Sequence, residues 1–225
     1  MVPENSQPPG STDHRKRSLD DPRAVDILTT EHWSLISNRT LGYQEMFGRA
    51  TIFVSILSAV VIALAFLAQA THFGRETLTF AMLLVSVALF IGITTFVRSV
   101  AVNFEDARWV VGMNRLRDAY EQIVPETAPY LAPGREALYE QRQLGQGSRQ
   151  RIGNLGNSLT TTSSVIATLN SVLAGSLAAA LVAFFSAGAI LAASIGAVVS
   201  IVSGVLHVRY AGRYRQRHVP STPTT

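Results

Sequence analysis

Hydrophobic side chains are gathered into four long runs that polar segments separate. The first run, residues 50–70, reads ATIFVSILSAVVIALAFLAQA and contains no charged residue. At 1.5 Å per residue, a helix of this length spans about 31 Å, the thickness of a bilayer core. Similar runs predict further spans at residues 78–98, 163–185 and 187–208. The pattern predicts an all-α fold, a polytopic membrane protein with four transmembrane helices.

The links inside each pair of runs are short, which predicts two helical hairpins. Residues 71–77 join the first two runs, and little more than Ser186 and Ala187 joins the last two. The remaining segments are a disordered tail (1–24), a cytoplasmic amphipathic helix (25–49), a cytoplasmic helix (99–124), a Pro/Gly-rich segment (125–158) and a basic tail (209–225).

Two polar segments next to the first hairpin carry apolar stripes with heptad-like spacing. One stripe precedes the first span and the other follows the second span. Their members are Trp33, Ile36, Tyr43 and Phe47, and Trp109, Met113, Leu116 and Tyr120. We therefore expect the first hairpin to extend into the cytoplasm as an antiparallel helix pair. Facing residue numbers should sum to about 148, which puts Ile36 near Gly112.

The basic residues indicate the orientation of the spans. The net charge is +4, and all but one of the 19 basic residues are arginine. Arg75 alone lies in a link within a hairpin, whereas the others lie in the two tails or the central segment. Basic residues near span ends stay cytoplasmic. The expected location is the cell inner (plasma) membrane, multi-pass, with both termini in the cytoplasm.

This placement also predicts partners. The lipid bilayer and its anionic headgroups are expected to contact the arginines near span ends, namely Arg98, Arg209, Arg213, Arg215 and Arg217. No nucleic-acid partner is expected, because the membrane already accounts for the basic balance. A homo-oligomer or an unknown protein partner stays open.

The predicted spans contain few strongly polar side chains. None contains Asp, Glu or Lys, Arg98 closes the second span, and His207 lies near the end of the fourth. Asn170 is the polar intramembrane residue, with two interpretations: an interhelical hydrogen bond, or a contact to an ion or substrate.

Small residues recur at every fourth position of the last two spans, a spacing that lets helix backbones approach closely. The predicted helix-packing residues are Ser171, Gly175, Ala179, Gly188, Ala192, Gly196, Ser200 and Gly204. They predict a tight hairpin; the alternative is a face that meets another subunit or lines a pore.

Part of the chain resembles a family of bacterial integral membrane proteins that has no established activity. The resemblance rests on residues 31–35 (EHWSL), residues 112–120 (GMNRLRDAY) and the Pro125-Glu126 and Pro129-Tyr130 pairs. It implies a four-helix topology and nothing about chemistry. The extended hairpin is also similar, in architecture only, to SLATT-type membrane effectors of bacterial conflict systems.

The sequence contains no recognisable catalytic set. Cysteine is absent, the five histidines are scattered, and the Gly-rich stretch 145–156 lacks the Lys-Ser/Thr of a phosphate loop. We expect no enzyme activity, no cofactor and no metal. The leading hypothesis is a scaffold or regulator acting through helix–helix interactions; the alternative is an oligomeric pore or channel.

Overall fold

A computed structural model describes residues 19–72, 74–131, 162–185 and 188–218, with side chains as far as Tyr214. Four long helices account for most of these residues. They are α1 (Ala24–Ala70), α2 (Arg75–Ile123), α3 (Thr162–Phe184) and α4 (Ala189–His218), with a short 3-10 helix at Pro125–Tyr130. The described residues are thus all-helical, as predicted, and each long helix is long and apolar enough to cross a membrane.

Several predicted boundaries lie inside a continuous helix. The boundary between residues 49 and 50 lies within α1, and the boundary between residues 98 and 99 lies within α2. The predicted basic tail is helical as far as His218. Predictions for residues 1–18, 132–161 and 219–225, and for the side chains of Arg215 and Arg217, lie outside the described residues.

Local sequence explains where α1 and α2 end. Val124 precedes a proline and takes an extended conformation (φ −136°, ψ 86°), as the proline ring requires of its neighbour, so α2 stops at Ile123. Beyond α1, His72 has a φ of +51°, in the left-handed region that histidine enters more readily than bulky residues. The hydroxyls of Thr71 and Thr77 hydrogen-bond across this turn.

Contacts within the described residues define two compact units. The helix-pair unit contains residues 19–41, which include the start of α1, and residues 105–131, which include the end of α2 and the 3-10 helix. The four-helix unit contains residues 42–104 together with α3 and α4.

The core of the four-helix unit is built from apolar side chains of α1, α2 and α3. Phe53 of α1, Ala88 and Phe96 of α2, and Ile166 of α3 are almost completely buried and belong to one cluster. At the other end of α3, the Arg75 guanidinium lies 4.6 Å from the Phe184 ring centroid and donates to the Phe184 carbonyl oxygen at 3.3 Å. A cation thereby satisfies a carbonyl at the C-terminus of a helix.

Candidate functional site

Asn170 lies where α1, α2 and α3 converge, and its side chain is completely buried. Its carboxamide lies directly against Gly92 of α2, in the space that a side chain at this position would fill. A Cβ atom added to Gly92 would lie 2.8 Å from Phe53 Cε2 and 2.9 Å from Asn170 Cγ, and it would overlap Asn170 Oδ1. The absence of a side chain at Gly92 is therefore what admits the Asn170 carboxamide.

The Asn170 carboxamide forms no hydrogen bond within the described part of the chain, at either Oδ1 or Nδ2. The interhelical hydrogen bond expected from the sequence is therefore not present there. The Gly92 Cα hydrogen that a Cβ would replace points at Oδ1, the arrangement of a weak Cα–H···O contact. A buried amide without conventional partners typically costs about 1–3 kcal/mol.

Two buried hydroxyls of α2 form hydrogen bonds within their own helix. Thr95 Oγ1 donates to the Ile91 carbonyl oxygen at 2.8 Å, and Ser99 Oγ donates to the Phe96 carbonyl oxygen at 2.8 Å. Both side chains are buried. Their donors are therefore satisfied inside α2.

A hydrogen bond that sequence reasoning missed joins α2 and α3 further along the same contact. Asn103 Nδ2 donates to Ser163 Oγ at 2.8 Å. Asn103 lies in the predicted cytoplasmic helix (99–124). The sequence analysis assigned a role only to the apolar stripe of that helix and not to Asn103. Its spacing was the available signal: Gly92, Ser99 and Asn103 follow one another at intervals of seven and four, which places them on one face of a helix.

The small residues of α3 and α4 lie against each other within the chain. A Cβ atom added to Gly196 would lie 2.8 Å from the Gly175 carbonyl oxygen and 2.9 Å from Ala179 Cβ. One added to Gly175 would overlap Ser200 Oγ and the Gly196 carbonyl oxygen. This close backbone approach is the arrangement that small residues permit.

The remaining predicted packing residues differ in their surroundings. Ser171 and Ala192 are buried, and a Cβ added to Gly204 would lie 3.5 Å from Ser171 Oγ. Gly188 departs from the prediction, because a Cβ added there meets nothing within 4 Å. It directly precedes Ala189, the first residue of α4, where no described backbone comes close.

An ion cluster joins α1 to α2 in the four-helix unit. The Glu45 carboxylate accepts from Arg98 Nε at 3.1 Å and Nη2 at 2.7 Å, and from Arg49 Nε at 2.9 Å. Hydrogen bonds from Arg98, and then from Arg49, lower the pKa of Glu45 to about 2. In the structure Arg98, for which the sequence predicted a lipid headgroup, binds Glu45. The sequence analysis gave Glu45 no role.

Aromatic side chains of α4 pack along α2. The His207 ring lies 4.6 Å from the Phe96 ring, and Tyr210 lies 6.1 Å from the same ring, by centroid distance. Tyr214 lies 5.1 Å from Phe104. These contacts define the side of α4 that faces the protein interior.

In the helix-pair unit, α1 and α2 meet through His32, Leu35 and Arg39. A Cβ added to Gly112 would lie 3.1 Å from Leu35 Cδ1, and the rings of His32 and Tyr120 lie 6.2 Å apart. Arg39 Nε donates to Asp106 Oδ1 at 2.6 Å.

The predicted helix-pair residues divide between contact and exposure. Leu116 is buried, whereas Ile36, Tyr43, Trp109, Met113 and Tyr120 are half-buried. Trp33 and Phe47 depart from the prediction, since 64% and 54% of their surfaces are exposed. The contact face of α1 in this unit passes through residues 32, 35 and 39, and Trp33 lies about 100° from His32 around the helix.

Comparisons with known proteins do not assign the chain to a protein family. No family model, curated protein or solved structure matches the chain. Within the described ranges, no three His, Asp or Glu side chains form a group that could hold a metal ion.

Proposed function

We propose that the chain is a multi-pass membrane protein that serves as a scaffold or regulator through helix–helix interactions. The membrane part of this proposal is supported by apolar surface on all four helices. In α1 and α4 only 11% of the most apolar window is buried. Ile190, Phe66, Phe90 and Ile201 have 69–85% of their surfaces exposed. Soluble monomers rarely expose such large apolar patches, whereas lipid tails would cover them.

Hydroxyl groups on the exposed faces support the same environment. Ser58, Ser86 and Ser194 each donate to the carbonyl oxygen four residues earlier in their own helix, at 2.6–2.9 Å. A hydroxyl satisfied in this way can face hydrocarbon without leaving its donor unpaired.

The proposed topology has two hairpins, with both termini in the cytoplasm of a bacterial cell. It rests on the placement of the arginines and on the resemblance of residues 31–35 and 112–120 to a bacterial membrane family. Reporter fusions at residue 140 and at the C-terminus should both give a cytoplasmic signal. A tag between His72 and Glu76 should be accessible from outside, and an external C-terminus would refute the topology.

The observation that carries the functional proposal is apolar surface on the helix-pair unit. Ile27, Trp33 and Val111 each have more than half of their surface exposed. The contacts between Leu35 and Gly112 and between Arg39 and Asp106 hold the pair together without using these side chains. We propose that the exposed side chains bind a partner, either a second copy of the chain or another protein.

Crosslinking and affinity purification test this function together. Leu35→Cys with Gly112→Cys should form an intramolecular disulfide in a chain that otherwise has no cysteine. Trp33→Glu should abolish partner recovery from native membranes and keep that crosslink, whereas the control Asn38→Glu should preserve both. A crosslink that forms only between chains, or unchanged partner recovery with Trp33→Glu, would refute the proposal.

Asn170 supports a pore or channel as the second candidate function. Its completely buried carboxamide has no hydrogen-bond partner among the described residues, so its donors and acceptor are left unpaired between the helices. The small faces of α3 and α4 give this candidate less support, because they pack on each other. Selective ion flux in liposomes that Asn170→Leu abolishes would favour the pore over the scaffold.

A further inference from the structure

Along one exposed face of α4, the side chains are apolar at first and basic further towards the C-terminus. Val198, Val202 and Val205 have 49–60% of their surfaces exposed. Arg209 and Arg213 follow Val205 at intervals of four and four, so they continue the same side of the helix. Both arginines are exposed.

The opposite side of α4 faces the rest of the four-helix unit. Gly196 and Ser200 approach α3, while His207 and Tyr214 contact the rings of α2. Arg209 lies about 160° from His207 around the helix, at 100° per residue. The two arginines therefore point away from the protein, where the proposed bilayer would surround α4.

Arginines near the ends of the apolar runs divide into two kinds. Arg49 and Arg98 share the Glu45 carboxylate, so their charge is already partly neutralised. Arg209 and Arg213 have no acidic partner within the described part of the chain. The unneutralised cations thus lie on the face of α4 that would contact lipid.

We propose that Arg209 and Arg213 form a binding site for the headgroup of an anionic phospholipid. This inference rests on the proposed insertion of α4 into a membrane. The two Cα atoms lie about 1.5 Å and 7.5 Å along the helix beyond Val208, within a headgroup layer that is about 5–8 Å thick on each side. A guanidinium binds a phosphate through two parallel hydrogen bonds, and the apolar face above it would pack against the acyl chains.

Tyr210 also supports placing this part of α4 at the level of the lipid headgroups. It lies beside Arg209, with 39% of its surface exposed, and its ring packs 6.1 Å from Phe96. Tyrosine is enriched at membrane interfaces because its ring is apolar and its hydroxyl is polar.

Native mass spectrometry of the full chain in detergent micelles can test the site. Phosphatidylglycerol is titrated as the anionic lipid and phosphatidylcholine as the neutral one, with soluble glycerol phosphate as a headgroup without a membrane anchor. Arg209→Gln and Arg213→Gln should each weaken phosphatidylglycerol binding about fivefold, and the double variant about 30-fold, from the usual strength of one arginine at an anionic surface. Phosphatidylcholine binding should not change.

Arg49→Gln is the charge-matched control, because it removes one cation that is already bound to a carboxylate, that of Glu45. It should alter phosphatidylglycerol binding less than twofold. Wild-type affinity in the double variant, or an equal loss with Arg49→Gln, would overturn the site. Competition by equimolar glycerol phosphate would also overturn it, since the site would then recognise free phosphate.

Carbonate extraction of membranes from the same strains separates this inference from the proposal on which it rests. If the wild-type chain is extracted, membrane insertion itself is refuted. If all variants stay in the membrane and bind the anionic lipid equally, only the lipid site is refuted.

Discussion

Replacing Asn170 with leucine should stabilise the protein, although the change removes a buried polar group. The wild-type carboxamide is completely buried and has no conventional hydrogen bond in the described ranges. Leucine has nearly the same branched shape, so it would occupy the space against Gly92 without opening a cavity.

The expected gain is set by two opposing terms. An unpaired buried amide costs about 1–3 kcal/mol, but separated helices in a membrane also find partners for such groups, which reduces measured effects to about 0.6–2 kcal/mol. The larger methyl groups against Gly92 offset part of this gain, as overpacking does. A net stabilisation of about 1 kcal/mol would raise the midpoint temperature of thermal denaturation by about 2–4 °C for a chain of this size.

The assay is thermal denaturation in detergent, followed by the loss of the monodisperse peak in size-exclusion chromatography. Asn103→Leu is the matched control, because Asn103 donates to Ser163 at 2.8 Å. Replacing Asn103 with leucine should therefore destabilise the protein by about 1 kcal/mol. A loss of 1 kcal/mol or more with Asn170→Leu would refute the reasoning, since it would show that Asn170 forms a stabilising hydrogen bond.

Three further predictions concern packing, pH and the connection between α2 and α3. Gly175→Leu should destabilise the α3–α4 contact by about 1–3 kcal/mol in the same assay, whereas Gly188→Leu, where a Cβ meets no described atom within 4 Å, should be neutral. Folding lowers the pKa of Glu45 from 4.5 to about 2, so its stabilising contribution is complete above pH 4.5 and is lost as the pH falls towards 2. Glu45→Gln should flatten stability profiles measured between those pH values, and an unchanged profile would contradict the assignment. Arg75→Ala removes the contact with Phe184 and should lower stability by about 0.5–2 kcal/mol, whereas Arg75→Lys should retain part of the cation–π contribution.

The all-helical fold and the four apolar helices could be predicted from the sequence alone. Long runs such as residues 50–70 contain no charge and no proline, and a run of that length has few alternatives to a helix. The end of α2 was also local information, because Pro125 restricts the conformation of the residue before it.

Close approach between α3 and α4 was partly encoded in the sequence. The spacing of Gly175 and Gly196 with other small residues predicted a close contact, because missing side chains leave room for a backbone. It did not say whether the neighbouring backbone belonged to this chain or to another. The structure places Gly175 against Gly196, and only a three-dimensional arrangement could decide that.

The partners of polar side chains were decided by tertiary structure. Periodicity identifies a face of a helix but leaves its rotation uncertain by about one residue, or 100°. That uncertainty put Trp33 rather than His32 and Leu35 in the predicted contact with α2. It also hid the pairs Glu45–Arg98 and Asn103–Ser163, whose members are 53 and 60 residues apart. The strongest polar feature of the sequence, Asn170, was visible from the start, but its lack of a described partner depends on which side chains of α1 and α2 surround it.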